Sequence, residues 1–129
     1  MGKFKILVVD DDVNLAFLLQ QRLESEGFEV ENANSVTAGY LTYRSFKPDL
    51  VLTDISLGDA SGFDLMYRIR KDAPRIKTIY MTGDLSRHLS ALEQERNQHH
   101  AMFLSKPFSE RNLLDSISAG VQGRDQIAA

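Results

Sequence analysis

Short, branched, continuously apolar runs separated by amphipathic stretches constrain this chain more than any other feature. KILVV (Lys5–Val9) lacks the in–out alternation of a strand with one wet face. Such a run suits a strand buried on both sides, the kind found in parallel sheets covered by helices. LVLTD (Leu50–Asp54), TIYMT (Thr78–Thr82) and MFLS (Met102–Ser105) repeat the pattern, and Phe28 and Val30 alternate with Glu29 and Glu31 as a weaker second strand. Helical signals lie between these runs. Leu15, Leu18, Leu19 and Leu23 recur at helical spacing and stop before Gly27. Ser35 is placed to cap a second helix to about Ser45, before Lys47-Pro48-Asp49 breaks the chain. Ser61 with Asp64 three residues later reads as a capping box, opening a helix through Phe63, Met66, Ile69 and Arg70. Leu85, Leu89 and Leu92 mark a fourth helix, their stripe expected to pack in the core with the Glu93–Arg96 charges on a solvated face. Ser109 is a cap for a last helix carrying Leu113, Leu114, Ile117 and Val121.

Five strands alternating with five helices imply an α/β fold, a doubly wound five-stranded parallel sheet with helices on both faces. The flavodoxin-like strand order 2-1-3-4-5 is a common solution, with its functional crevice at the carboxyl ends of the strands. One domain is expected over residues 1–123, followed by a short frayed tail at 124–129. There is no cysteine, which excludes disulfides, thiolate metal sites and cysteine catalysis. A net charge of −3 leaves no broad basic face, so direct nucleic-acid binding is not expected. No apolar run approaches bilayer length, and the apolar N-terminal stretch is too short for a signal peptide. The expectation is a cytoplasmic protein without a membrane segment.

The strand ends carry the chemistry. Asp10, Asp11 and Asp12 follow the first strand, Asp54 ends the third, Thr82-Gly83 ends the fourth, and Ser105-Lys106-Pro107 follows the fifth. Crowded carboxylates resist full ionisation unless a positive charge compensates them. Converging on one crevice, they form a site for a hard divalent cation. Magnesium suits best, with manganese as the substitute, because it takes one or two carboxylates, waters and a phosphoryl oxygen. Asp54 stands alone on the central strand and is the candidate nucleophile for an aspartyl phosphate. Asp10 and Asp11 would hold the metal, Lys106 would pair with a phosphoryl oxygen, and Thr82 would hydrogen-bond another. Taken singly, each group has a plainer role as a helix cap, a turn or a loop. Their coincidence at one sheet edge favours the functional reading.

ILVVDDD, PDLVLTDISLGDASGFDL, TIYMTGD and FLSKPF, in that order, resemble the four signature segments of the response-regulator receiver domain of two-component signalling. The resemblance covers nearly the whole chain. It implies that Asp54 is the phosphoacceptor, that Asp10 and Asp11 are the acidic pair, and that the backbone carbonyl of Ser56 completes the metal shell. It further implies that Thr82 is the switch hydroxyl, Lys106 the lysine of the site, and Phe103 the aromatic that changes rotamer on activation. The donor would be a histidine kinase or a histidine phosphotransfer protein. The output surface would be the last helix, the fourth helix and the fifth strand, serving phosphorylation-dependent homodimerisation or docking onto a downstream protein or a fused output domain. Such a protein is not an enzyme, although it assists its own phosphorylation and slow dephosphorylation.

This chain departs from the family in three places. Gly58 stands where many members have proline, NQHHAMF replaces the usual Gly-Ala turn before the fifth strand, and the Thr82–Lys106 stretch is slightly long. Two other functions compete. A degenerate receiver acting only as a binding module would lack an acidic, hydroxyl or lysine group, and none is missing. A metal-dependent phosphohydrolase would need a further acid–base group such as an Asp at position 56, which is Ser. His99-His100 reads as an exposed pair rather than a metal site. No output domain follows the last helix within the 129 residues, which fits a stand-alone regulator or a receiver segment of a longer chain.

Overall fold

The computed structural model describes residues 2–58 and 60–128, with side chains described as far as Gln122. The described residues form seven strands and five helices: β1 (Lys5–Val9), α1 (Val13–Ser25), β2 (Glu29–Ala33), α2 (Val36–Phe46), β3 (Leu50–Asp54), β4 (Ser56–Leu57), β5 (Ala60–Ser61), α3 (Gly62–Asp72), β6 (Lys77–Thr82), α4 (Leu85–His99), β7 (Met102–Ser105) and α5 (Glu110–Ala128). The main sheet has the order β2-β1-β3-β6-β7, parallel throughout. With the small antiparallel β4–β5 hairpin set aside, this is the expected 2-1-3-4-5 order.

The apolar runs become strands because both sheet faces are buried. Ile6, Val8, Leu50, Leu52, Ile79 and Met81 pack on one side against α1 and α5 through Ala16, Leu19, Leu23, Leu113 and Ile117. Leu7, Val9, Val51 and Tyr80 pack on the other against α2, α3 and α4 through Val36, Leu65, Met66, Ile69 and Leu92. Every residue of β3 is buried, whereas the edge strand β2 alternates. Burying a large aliphatic side chain contributes roughly 1.5–3 kcal/mol before entropy, so this double layer dominates stability.

The local signals for helix ends hold. The Ser35 hydroxyl accepts from Ala38 N–H and caps α2. Ser61 and Asp64 form the reciprocal capping box of α3. Ser109 Oγ accepts from Asn112 N–H at 3.0 Å at the start of α5. Gly27, at φ 95°, follows the end of α1. Helix faces were less legible. Leu18 is 59% exposed and Leu89 40% exposed, so only part of each leucine stripe is core. The solvated face assigned to Glu93–Arg96 is corrected at Glu95, whose carboxylate accepts from Arg70 Nη1 at 2.6 Å and the Tyr80 hydroxyl at 2.5 Å. Helix α5 continues across residue 123 to Ala128, through the segment assigned to a tail, and Ala129 lies outside the described residues.

Most of the stretch before β7 is α4, which extends to His99 and closes on His100 at φ 57°. That left-handed conformation is the one the usual glycine would adopt freely, and a β-carbon there costs about 1 kcal/mol. His100→Gly is therefore expected to raise stability by about 0.5–1 kcal/mol, a gain of a few degrees in Tm by thermal denaturation.

Candidate functional site

The ends of β1, β3, β6 and β7 meet at one edge of the sheet, and each places a side chain there by backbone register. Asp10 is fully buried at the end of β1. Its N–H donates to Ala33 O at 3.1 Å and its carbonyl accepts from Asn34 Nδ2 at 2.9 Å, so the neighbouring β2 connection anchors it. Its carboxylate Oδ1 accepts from Asp12 N–H at 2.9 Å. Asp12 turns away to cap α1, accepting from Leu15 N–H at 3.1 Å. The acidic run is thereby divided, with one carboxylate buried, one exposed at Asp11 and one spent on a helix end.

Asp54, 9% exposed, ends β3. Its Oδ1 accepts from Ser56 N–H at 3.3 Å, and its Oδ2 accepts from Lys106 Nζ at 2.8 Å. Lys106 Nζ also donates to Asp10 Oδ2 at 3.1 Å. One ammonium thus bridges the two buried carboxylates. It reaches them because Lys106 N–H donates to Thr82 O at 2.7 Å, which pins the start of the β7–α5 loop to the end of β6. Burial pushes the Asp10 carboxyl above its ordinary value, against the lowering effects of the Asp12 N–H and Lys106, while the Asp54 charge adds to the rise. Burial draws Lys106 down, but its hydrogen bonds to Asp54 and Asp10 and their charges prevail, and its pKa lies above the ordinary lysine value. The group is an ammonium at neutral pH.

Carboxylate oxygens of Asp10, Asp11 and Asp54 lie within 4.8 Å of one another. Three carboxylates against one ammonium leave an excess of two negative charges when all are ionised. A cluster of hard oxygen donors with that excess fits a divalent cation such as magnesium.

Thr82, 3% exposed, lies at the end of β6, beside Ser105 in register. Its Oγ1 accepts from Asp84 N–H at 3.0 Å, and the Asp84 carboxylate in turn caps α4 through Arg87 N–H at 3.3 Å. Phe103 is half-buried on β7 beside Tyr80, and the Arg96 guanidinium stands 5.7 Å from its ring centroid. Ser56 is exposed at the start of the β4–β5 hairpin. Gly58 has φ 81° in the two-residue connection between Leu57 and Ala60. Proline cannot reach that φ, so its replacement here reflects a different turn.

Residues 6–118 match the family model described as the response regulator receiver domain. This chain belongs to that family. The DNA-binding transcriptional regulator NtrC of Bradyrhizobium is 31% identical over 109 residues, covering 84% of this chain and 22% of that protein. The transcriptional regulatory protein GlrR of Escherichia coli is 32% identical over 119 residues, covering 91% of this chain and 26% of that one. The chain therefore spans only about a quarter of these relatives. Among solved structures, a CheY-like response regulator receiver domain protein from Methanospirillum hungatei superposes with a TM-score of 0.86 at 31% identity, covering 97% of this chain and 98% of that one. The non-phosphorylated HemR receiver domain of Leptospira biflexa gives 0.80 at 29% identity, covering 92% and 94%.

Two residues of this receiver site escaped the sequence reading. Asn34 holds the Asp10 backbone, and nothing local marks it for that role. Gly62 opens α3 against the end of β3, donating its N–H to Ile55 O at 2.7 Å. A β-carbon at Gly62 would lie 2.3 Å from Asp54 O and 3.1 Å from Thr53 Oγ1. A glycine in the first turn of a helix, where it adds nothing to helix propensity, was the available signal. Gly62→Ala is expected to cost about 1–3 kcal/mol in chemical denaturation, because the clash is with backbone that cannot swing away. That backbone carries Asp54, so the same substitution should displace the Asp54 carboxylate from Lys106 Nζ, which a crystal structure of the variant would read.

Proposed function

We propose that this receiver is a phosphorylation-operated switch that accepts a phosphoryl group on Asp54. The observation that carries the reading is the Lys106 ammonium held between Asp54 at 2.8 Å and Asp10 at 3.1 Å, with the Asp11 carboxylate close by. In the transfer, an Asp54 carboxylate oxygen attacks phosphorus as the bond to the donor breaks, the imidazole nitrogen of a phosphohistidine or the acyl oxygen of acetyl phosphate taking the electron pair. Phosphoryl transfer asks a protein mainly for in-line positioning and charge neutralisation. Lys106 supplies a fixed ammonium for a phosphoryl oxygen, and Thr82 supplies a hydroxyl for another.

Asp10, Asp11, Asp54 and the Ser56 backbone carbonyl would hold magnesium or manganese, and the cation would neutralise charge on the phosphoryl oxygens. Family membership supports a histidine kinase or phosphotransfer protein as the donor, and we propose an output through α4, β7 and α5 to a partner, a fused domain or a second copy. Modification adds charge and acceptor oxygens at Asp54. Thr82 would then donate its hydroxyl proton to the phosphoryl group, moving its oxygen away from Asp84 N–H, and Phe103 would turn inward. This is a population shift between two packings.

Incubation with acetyl phosphate tests the reading without the natural kinase. Wild type should gain one phosphoryl group by intact mass, only with magnesium present, and Asp54→Asn should gain none. Lys106→Ala is expected to slow uptake by a factor of 10 or more, the size of losing one charge-assisted hydrogen bond of about 1.5–3 kcal/mol. Absence of uptake by wild type under all conditions overturns the proposal.

A further inference from the structure

Helix α4 is attached to the sheet in an unusual way. Leu92 is its only fully buried residue, while Leu85 is half-buried and Leu89 substantially exposed. Polar contacts hold the rest. At its amino end, Asp84 N–H donates to Thr82 Oγ1 at 3.0 Å. In its third turn, Glu95 Oε1 accepts from both Arg70 Nη1 of α3 at 2.6 Å and the Tyr80 hydroxyl of β6 at 2.5 Å. The Arg70 side chain is 9% exposed and Glu95 19%, so the ion pair is largely shielded. Arg70 Nη2 reaches Thr78 Oγ1 at 3.3 Å. Burial, with the Glu95 hydrogen bond adding to it, pushes the Tyr80 phenol upward, so it is a donor at any physiological pH.

The contact is strong but not saturated. Both short bonds end on the same carboxylate oxygen, and Arg70 Nε is buried without a partner. A guanidinium normally meets a carboxylate with two parallel bonds, and an orphaned buried N–H is costly. Glu95 is therefore shared between α3 and β6 through one oxygen, and the Arg70 guanidinium is left incompletely paired. Tyr80 also lies on the sheet face of Thr82, two residues away, and is paired in register with Phe103. The tie therefore joins α4 to β6, the strand that carries Thr82 and pairs with the strand of Phe103.

We propose that the Arg70–Glu95–Tyr80 contact is a latch that holds α4 in the unphosphorylated position and opposes modification of Asp54. This rests on the switch reading above. When Thr82 moves to donate to a phosphoryl group and its oxygen draws away from Asp84 N–H, the amino end of α4 is freed, and the Glu95 latch is a tie that remains beside the Arg96–Phe103 contact. A protein whose binding-competent packing is fractionally populated binds with an affinity reduced by that fraction. Weakening the latch should raise the fraction.

The test is calorimetric titration of wild type, Glu95→Gln and Tyr80→Phe with beryllofluoride, a phosphoryl analogue, in excess magnesium. Asp54→Asn serves as the blank, and thermal melts show that each variant is folded. Both latch variants are expected to bind the analogue about fivefold or more tightly than wild type, the low end of typical coupling between sites. A tie that serves stability alone would lower Tm while leaving affinity unchanged, and that result overturns the latch. Weaker binding by the variants overturns it too, by placing the contact in the activated packing. Tyr80→Phe removes a single oxygen, which keeps the question answerable if Glu95→Gln folds poorly. If wild type itself takes up neither analogue nor phosphoryl group, the switch reading fails and the latch with it. Uptake by wild type with unaltered variants removes the latch alone.

Discussion

One ammonium shared by two carboxylates at the end of a parallel sheet is the interaction on which this site depends. Asp10 and Asp54 lie on adjacent strands, and without Lys106 between them two nearly buried carboxylates would face each other in a poorly screened crevice. The lysine follows a third strand, β7, and it arrives only because β7 is registered on β6 and Lys106 N–H is bonded to Thr82 O. The sheet is thus more than a scaffold. Its parallel register places two buried carboxylates, a hydroxyl and an ammonium at one edge, since every strand ends on the same side.

The core and the site make opposite demands. The central strands are almost wholly buried, with apolar side chains packed on both faces of the sheet. The edge of that sheet collects charges that disfavour one another and are only partly compensated. Local strain and unsatisfied charge of this sort can persist where the surrounding structure over-determines geometry. Gly62 belongs to the same logic, because α3 must approach the Asp54 backbone closely enough to exclude a β-carbon. Helix α4 answers the opposite need. It is joined by few apolar contacts and several polar ones, and polar ties can be exchanged at small net cost.

Much of the architecture could be read from the chain because it is encoded locally. Fully apolar runs predict strands buried on both faces, and Ser35, Ser61 and Ser109 predict helix starts through hydrogen bonds only a few residues long. Even the convergence of Asp10, Asp11, Asp54 and Lys106 followed from strand order. The failures were of another kind. Leu18 and Leu89 look like core by spacing, yet burial depends on where the neighbouring elements stop. Glu95 looks like one of several surface charges, yet Arg70 and Tyr80 approach it from elements far away in sequence. The β4–β5 hairpin is too short to leave a periodic signal.

What the sequence determined alone was the kind of fold and the chemical inventory at its edge, because hydrophobic period and capping act over a few residues. The tertiary structure decided how each charge is used. Asp10 is sealed and bonded, Asp11 is left exposed, and Asp12 is turned onto a helix end, although all three are consecutive and chemically identical. It also decided that a largely shielded ion pair from Arg70 to Glu95 helps to hold α4. The reason is the same in both cases. Burial and charge pairing are set by groups distant in sequence, and only packing brings those groups within the few ångströms over which such interactions are strong.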